Sequence, residues 1–189
     1  MIVAITGCIG SGKSYILKQI NLLHNIDIFS ADEFTLQAYE NEAIKEKLNK
    51  VFNCVINGKV DKSIIKANLN SDNIKNLNAI IHPYVKDCIL DVKSKYQNNL
   101  AFIEVPLLFE SNMETLFDAT ISIDIEDELR HKRLKKRNEK AYENMLKLEK
   151  QQLSNEEKAK RATYVLKSSE NEDLNLKQLN DIIYVIRQK

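Results

Sequence analysis

The sequence predicts an α/β fold in which helices flank a parallel sheet, and three observations support this class. Apolar, β-branched runs alternate with segments that repeat apolar residues at helical spacing. The first run, IVAIT (2–6), has almost no polar residue, which is typical of a strand buried on both faces. A glycine-rich loop joins this run to the first helical segment. Five strands are expected in all.

The predicted strands follow one another with helical stretches between them. They are IVAIT (2–6), IDIFSAD (26–32), AFIEVPLLF (101–109), ATISIDI (119–125) and TYVLKS (163–168). Residues 33–99 are polar and helix-prone with little strand signal, so a helical insert is expected there. A charged helical stretch, 126–152, follows the fourth strand, and an amphipathic helix at the end of the chain is expected to close over the sheet. A single domain results, with a core of 1–32, 100–125 and 153–189.

The composition argues for a compact domain without a strong overall field. Of the 189 residues, 43% are hydrophobic and 29% are charged, far from the composition of disordered chains. The net charge of +1 gives no reason to expect nucleic acid or a membrane surface as a partner. The cysteines Cys8, Cys54 and Cys88 show neither paired nor metal-ligand spacing. With no targeting pattern at the first residues and no apolar run of membrane length, we expect a cytoplasmic monomer.

Three of the four glycines in the chain, Gly7, Gly10 and Gly12, fall within six positions. The segment GCIGSGKS matches G-x-x-x-x-G-K-[ST] and lies between a predicted strand and a predicted helix, the context that supports a phosphate-binding loop. In such a loop Lys13 reaches the β- and γ-phosphates and the Ser14 hydroxyl binds Mg²⁺. The predicted triphosphate site comprises Gly10, Ser11, Gly12, Lys13, Ser14 and the backbone amide of Tyr15. A glycine-rich turn with a solvated lysine is the alternative interpretation.

Asp32 is the candidate catalytic base. It lies at the end of the second predicted strand segment, at the carboxyl edge of the sheet, where open α/β folds bind their ligands. A carboxylate in that place can accept the proton of an attacking hydroxyl. The alternative is a helix N-cap for a segment that starts at Glu33. The local sequence does not distinguish the two.

Both prolines of the chain mark candidate contacts with an acceptor substrate. His82 precedes Pro83, a position that favours extended backbone and a fixed ring direction. A structural helix start at this pair is the alternative. Pro106 is expected to end the third strand and to expose Leu107 and Leu108 at its mouth, where an apolar part of the acceptor would fit. A plain turn in the core is equally compatible.

The segment RHKRLKKR (130–137) carries six lysines and arginines in eight residues. Arg133 and Arg137 are four residues apart and therefore share a helical face. Above a phosphate loop, such a helix would act as a lid that excludes water and stabilises the phosphoryl group in transfer. The alternative is a solvated helix whose basic residues complement its dipole.

Taken in order, six segments resemble the dephospho-CoA kinase family over residues 2 to about 170. They are ITGCIGSGKS, SAD, IIHPYV, VPLLFE, RHKRLKKR and QQLSNEEKAKRATYVL. The resemblance implies a P-loop kinase fold with a helical acceptor-binding region (33–99) and a helical lid (126–152). It also implies that ATP with Mg²⁺ phosphorylates the ribose 3′-hydroxyl of dephospho-CoA in the last step of coenzyme A biosynthesis. The catalytic positions of the family correspond to Lys13, Asp32, Arg133 and Arg137.

Cys8 and Tyr15 depart from the family pattern at the phosphate loop, where a glycine and a threonine are usual, and four further positions depart elsewhere. Ser30 stands where the first aspartate of a D-x-D motif is usual, and Leu36 stands where an arginine is usual. Both concern the binding of the acceptor. Thr163 and Ser168 replace an aspartate and an asparagine near the last strand, on the adenine side of the site.

Two other functions fit part of the pattern. A nucleoside or nucleotide monophosphate kinase shares the phosphate loop, the helical acceptor region and the basic lid, but the VPLL segment and the His-Pro pair argue against it. A non-catalytic nucleotide-binding switch is the second alternative. Asp32 at the sheet edge and the absence of an Asn-Lys-x-Asp guanine signature argue against that interpretation.

Overall fold

A computed structural model describes residues 1–150 and 152–188 of the chain. Gln151, within the predicted lid, and Lys189, at the end of the predicted core, lie outside the described residues. Within the described part of the chain, no helix has both the length and the apolar character that crossing a membrane requires.

Strands and helices alternate through much of the described chain. The strands are β1 (Ile2–Thr6), β2 (Asp27–Ser30), β3 (Val55–Ile56), β4 (Lys59–Val60), β5 (Ala101–Glu104), β6 (Ala119–Ile125) and β7 (Tyr164–Ser168). The helices are α1 (Lys13–His24), α2 (Ala31–Ala38), α3 (Glu42–Phe52), α4 (Lys62–Ala67), α5 (Ser71–Lys95), α6 (Asp127–Arg137), α7 (Tyr142–Glu149), α8 (Asn155–Arg161) and α9 (Glu172–Arg187). They form two compact units, Met1–Phe29 with Tyr96–Lys189, and Ser30–Lys95.

The first unit is built on a parallel sheet with the strand order β2-β5-β1-β6-β7. Strand β1 lies at the centre, between β5 and β6, and all five of its residues are buried. This confirms the predicted five-stranded parallel sheet. Because parallel strands point the same way, the loops after β1, β5, β6 and β7 begin at one edge of the sheet.

Two helices of the first unit cover this sheet with the apolar faces that their periodicity predicts. In α1 the buried residues Ile16 and Ile20 join the core formed by the strands. In α9 Leu179, Ile183 and Ile186 reach the same core. Burial of a side chain of this size contributes about 1.5–3 kcal/mol. The amphipathic pattern of the last segment therefore correctly predicted a helix packed on the sheet.

The second unit is mainly helical, with α2 and α3 packed against α5. It also contains an antiparallel hairpin of β3 and β4, which the sequence analysis missed. The turn residues Asn57 and Gly58 have φ values of 51° and 74°, the left-handed pair that two-residue hairpins favour. The Asn-Gly pair within VINGKV (55–60) was the available signal.

Three predicted elements end earlier than their patterns suggested. The second predicted strand, β2, stops at Ser30 instead of residue 32, because α2 begins at Ala31. The third predicted strand, β5, stops at Glu104 instead of continuing to residue 109. The charged stretch 126–152 is not one helix, because Asn138 is extended and separates α6 from α7. The side chain of Asn138 then accepts a hydrogen bond from Ala141 N and caps the next turn.

His82 lies inside α5, so the expected extended backbone and the alternative of a helix start at this residue are both wrong. The helix runs from Ser71 to Lys95 with Pro83 in its interior. A proline there removes a backbone hydrogen bond and crowds the preceding turn. Burial of Val85 and Ile89 in the same helix offsets that cost.

Candidate active site

The glycine loop lies between β1 and α1, and its conformation requires glycine. Gly10 and Gly12 have φ values of 82° and 97°, which residues with a Cβ rarely adopt. A Cβ on Gly10 would also lie 2.8 Å from Cγ of Leu134 in α6. Gly12 caps α1, so the positive end of the helix dipole faces the loop. The loop is thus shaped for an anion and in direct contact with the predicted lid.

Lys13 and Ser14 occupy the first turn of α1, as the motif requires. Lys13 Nζ donates hydrogen bonds to the carbonyl oxygens of Gly7, at 2.8 Å, and Cys8, at 3.1 Å. Its ammonium group therefore lies against the beginning of the loop. The side chain of Ser14 is exposed. Its hydroxyl is accessible to a ligand.

The two predicted lid arginines lie on α6 but have different surroundings. Arg133 Nη1 donates to Ser168 Oγ at 3.0 Å, and Arg133 Nη2 donates to the Ser169 carbonyl at 2.9 Å. The guanidinium thus lies beside the phosphate loop, at the carboxyl end of β7. Arg137 is the last residue of α6 and is exposed. Helix α6 brings Arg133 to the loop and leaves Arg137 in solvent.

Arg130, in the same basic run, is a buried residue that the sequence analysis did not single out. Arg130 Nη2 forms ion pairs with Asp127 at 3.0 Å and with Glu149 of α7 at 2.6 Å. The hydrogen bond with Glu149 raises the pKa of the guanidinium above its ordinary value. This pair joins α6 to α7. Within RHKRLKKR, no local signal separates Arg130 from its exposed neighbours.

The segment after α7 covers the beginning of the phosphate loop. Gln152 Oε1 accepts a hydrogen bond from Ile9 N at 3.2 Å. The thiol of Cys8 is 3.5 Å from the Leu153 carbonyl oxygen and donates to it. Burial raises the pKa of this thiol, so it stays protonated at neutral pH. Two consecutive loop residues are therefore bonded to this segment.

A buried ion pair fixes the position of that segment. Lys158 of α8 is fully buried, and its Nζ lies 2.9 Å from both Glu110 Oε1 and the Pro106 carbonyl oxygen. Glu110 Oε1 also accepts a hydrogen bond from Leu153 N at 2.8 Å. Helix α8 begins with a capping box at its N-cap residue, Ser154, and Lys158 lies four residues further along the chain. The pair thus links α8 to the loop after β5.

A cavity of about 940 Å³ opens beside these elements of the first unit. Its lining includes Cys8, Asp124, Arg130 and Gln152. The volume is within the usual range for small-molecule sites. The cavity adjoins the beginning of the phosphate loop and the two helices of the predicted lid, α6 and α7.

Two of the departures from the family pattern have structural roles in this chain. Thr163 N donates to Thr120 Oγ1 at 2.9 Å, and Thr120 N donates to Thr163 Oγ1 at 3.1 Å. These reciprocal bonds join the beginnings of β7 and β6. Ser168 Oγ accepts the hydrogen bond from Arg133 described above. The side chains of Thr163 and Ser168 therefore both have hydrogen-bond partners within the first unit.

The expected exposure of both leucines after Pro106 is wrong for one of them. Leu107 is 44% exposed, whereas Leu108 is 0% exposed. The chain turns after β5, so Leu108 points into the core together with Phe109. Leu107 alone offers an apolar surface at this edge.

Asp32 and His82 lie in the second unit. Asp32 is exposed in the first turn of α2, directly after β2. The helix begins at Ala31 with Ser30 as its N-cap, so the interpretation of Asp32 as an N-cap is wrong. His82 is half-buried; burial, with a smaller contribution from Lys86, lowers its pKa. Its imidazole is therefore neutral at neutral pH.

A parallel α/β sheet, a glycine loop at the start of a helix and an arginine-bearing helix packed on that loop define a P-loop kinase. The sequence model of the dephospho-CoA kinase family matches residues 1–173. A dephospho-CoA kinase of Thermus thermophilus is 33% identical over 172 residues, which cover 89% of this chain and 83% of that protein. One from Fusobacterium nucleatum is 32% identical over 180 residues, covering 92% and 93%. The chain belongs to the dephospho-CoA kinase family, whose members are ATP-dependent phosphotransferases.

Solved structures show the same architecture. A crystal structure of a Thermus thermophilus protein superposes with a TM-score of 0.84 at 29% identity, covering 98% of this chain and 96% of that one. Dephospho-CoA kinase from Campylobacter jejuni gives a TM-score of 0.72 at 25% identity, with the same coverage of 98% and 96%. Shikimate kinase from Aquifex aeolicus, at 17% identity and a TM-score of 0.53, shares the fold alone.

Proposed function

We propose that this chain transfers the γ-phosphate of ATP to the ribose 3′-hydroxyl of dephospho-CoA. One observation carries the proposal. The glycine loop is in direct contact with an arginine-bearing helix, since a Cβ on Gly10 would meet Leu134 of α6. This arrangement supports an assignment to phosphoryl transfer, because it brings the Arg133 guanidinium close to a loop that can bind the donor phosphates. Membership of the family supports the choice of acceptor.

On the donor side, the backbone N–H groups of the loop and the Lys13 ammonium would bind the phosphates. The six residues that form this site are Gly10, Ser11, Gly12, Lys13, Ser14 and Tyr15. No group of three or more His, Cys, Asp or Glu side chains among the described residues would hold a metal by itself. Mg²⁺ fits such a site, because it is usually held by few protein ligands together with phosphate oxygens. Ser14 would be its protein ligand, and the bound ion would neutralise phosphate charge.

On the acceptor side, residues 33–99 would bind dephospho-CoA. Asp32 would orient the 3′-hydroxyl and accept its proton as the new bond forms. The neutral imidazole of His82 would hydrogen-bond the acceptor without adding charge. Leu107 would contact an apolar part of the substrate, with Leu108 supporting it from the core.

The lid, residues 126–152, would complete the site. Arg133 already lies beside the loop, and Arg137 would follow on the same face of α6. Loose phosphoryl transfer leaves little covalent chemistry to the protein, so charge stabilisation supplies most of the acceleration. An arginine in this role is worth about three to five powers of ten in rate.

The test is ADP release from ATP and Mg²⁺ by the purified chain, with dephospho-CoA, adenosine, AMP and CMP supplied one at a time. We expect release only with dephospho-CoA, and coenzyme A as the product. Stimulation by a nucleoside or nucleotide would instead identify a kinase for those acceptors. No release with any acceptor, despite ATP binding, would favour a non-catalytic nucleotide-binding protein.

A further inference from the structure

The amide side chain of Gln152 makes a contact that the proposed mechanism does not use. Its Oε1 accepts the hydrogen bond of Ile9 N, a backbone group of the phosphate loop itself. The two residues are 143 positions apart in the chain. A loop N–H of this kind is one of the donors with which such loops bind phosphate oxygens. Gln152 therefore shares a donor with any phosphate that binds there.

The contact lies at the end of the loop that receives the terminal phosphate. Lys13 Nζ is bonded to the carbonyl oxygens of Gly7 and Cys8, the two residues that precede Ile9. The lysine of this motif reaches the β- and γ-phosphates. The position of its ammonium therefore identifies the γ-phosphate end, and Ile9 N belongs to it.

The backbone beside Gln152 is held in place. Leu153 N donates to Glu110 Oε1, which is paired with the fully buried Lys158. The Leu153 carbonyl in turn accepts from the Cys8 thiol. The side chain thus extends to the loop from an anchored backbone, and its amide needs only to rotate to change partners.

We propose that Gln152 binds the terminal phosphate of ATP and makes the site prefer ATP to ADP. This inference rests on the proposed ATP site. A side-chain amide carries one acceptor and two donors. When the γ-phosphate takes the Ile9 N–H, the Nε2 donors of Gln152 turn to a phosphoryl oxygen. Hydrogen bonds to charged groups are stronger than those between neutral partners, and ADP has no γ-phosphate to accept them.

The experiment measures calorimetric binding of ADP and of the β,γ-imido analogue of ATP, both with Mg²⁺. Gln152→Glu keeps the shape and the acceptor but replaces the donors with a negative charge. We expect the analogue to bind about ten-fold or more weakly to this variant, with ADP affinity within about two-fold of the wild type. Gln152→Met, uncharged and of similar length, should show the same selective loss to a smaller extent. Gln97→Glu, an exposed change before β5, is the matched control and should alter neither affinity.

Equal losses for both nucleotides would overturn the inference, because they would show that Gln152 only maintains the shape of the loop. Unchanged affinities for both would overturn it as well. If Gln152→Glu does not fold in a thermal unfolding assay, the Gln152→Met comparison decides in the same way. A wild-type protein that binds no nucleotide, or that forms no coenzyme A, would count against the proposed function instead.

Discussion

At the scale of single residues, the hydrogen bonds of Lys13 fix the position of its ammonium group. Its ammonium group donates hydrogen bonds to the carbonyl oxygens of Gly7 and Cys8, at the beginning of the glycine loop. The flexible stem of a lysine allows these bonds to be exchanged for phosphate oxygens without moving the backbone. The loop thus holds the side chain beside the proposed donor site.

Lys13→Ala should lower turnover by about two to three powers of ten, the loss typical of removing a group that stabilises transition-state charge. The fold should be retained, because the substitution shortens a side chain at the start of α1. Steady-state rates and a thermal unfolding curve measure the two effects. Lys18→Ala, an exposed change in the same helix, is the control. Wild-type turnover in the Lys13 variant would remove this residue from the mechanism.

Asp32→Asn should lower kcat far more than it weakens ATP binding, because in the proposed mechanism the carboxylate acts on the acceptor hydroxyl. A loss of about two to four powers of ten is expected for a general base. The neighbouring exposed change Glu33→Gln should leave kcat almost unaffected. Rates at saturating substrate measure the effect on kcat, and calorimetry measures the effect on ATP affinity. An equal loss in both would assign Asp32 to folding.

His82 should make the stability of the protein depend on pH. Burial and Lys86 lower its pKa in the folded state. Below the ordinary histidine pKa of about 6.5, the unfolded chain takes up a proton that the folded chain resists. The free energy of unfolding should therefore fall as pH drops from 7 towards 5, and His82→Asn should reduce that slope. Urea unfolding at several pH values tests this, and identical slopes would contradict it.

At the scale of elements, the junction of α8 with the loop after β5 depends on one buried pair. Lys158 and Glu110 have 0% and 16% of their side chains exposed, and the pair also anchors Leu153. Desolvation makes such a pair costly to break, because the remaining charge has no partner. The position of the segment that covers the phosphate loop therefore follows from this pair.

Lys158→Met should destabilise the fold by about 3–5 kcal/mol, since it leaves the Glu110 carboxylate buried without its cation. Lys160→Met removes an exposed pair with Glu156 in the same helix and should cost about 1 kcal/mol or less. Chemical denaturation measures both changes. The double variant Lys158→Met with Glu110→Leu should recover part of the loss. A double variant as unstable as the sum of its parts would contradict this account.

At the scale of the whole molecule, the charges are nearly balanced, so any attraction for an anion must be local. The chain has 28 basic and 27 acidic residues, so no overall field attracts a nucleotide. In the proposed site, the attraction would come from the loop, the helix dipole and the basic residues of α6. ATP bound at this site would therefore stabilise the compact unit that contains β1 and α6.

ATP with Mg²⁺ at about one hundred times its Kd should stabilise the folded chain by about 2.7 kcal/mol. For a chain of this size, that corresponds to a rise in Tm of about 5–10 °C. Differential scanning calorimetry measures the shift. Lys13→Ala should show a smaller shift at the same ATP concentration. No shift in the wild type at millimolar ATP would contradict the assigned loop.

The sequence alone was sufficient for the features that depend on local patterns. Apolar runs identified the strands, and the spacing of glycine, lysine and serine identified the phosphate loop, because both signals lie within a few consecutive residues. The same is true of the amphipathic last helix. The Asn-Gly hairpin was equally local and was overlooked. The contact of His82 with an acceptor stays a prediction. The helix around His82 was not predicted, because a residue before proline usually has extended backbone.

Tertiary structure alone decided which of several similar residues are buried and which distant groups meet. Leu107 and Leu108 are adjacent, yet only the direction of the turn after β5 leaves one exposed and buries the other. Arg130 and Arg137 belong to one basic run, but only Arg130 faces a carboxylate of α7. Gln152 meets Ile9 across 143 positions. Such contacts depend on the packing of whole elements, and no pattern within a short segment encodes that packing.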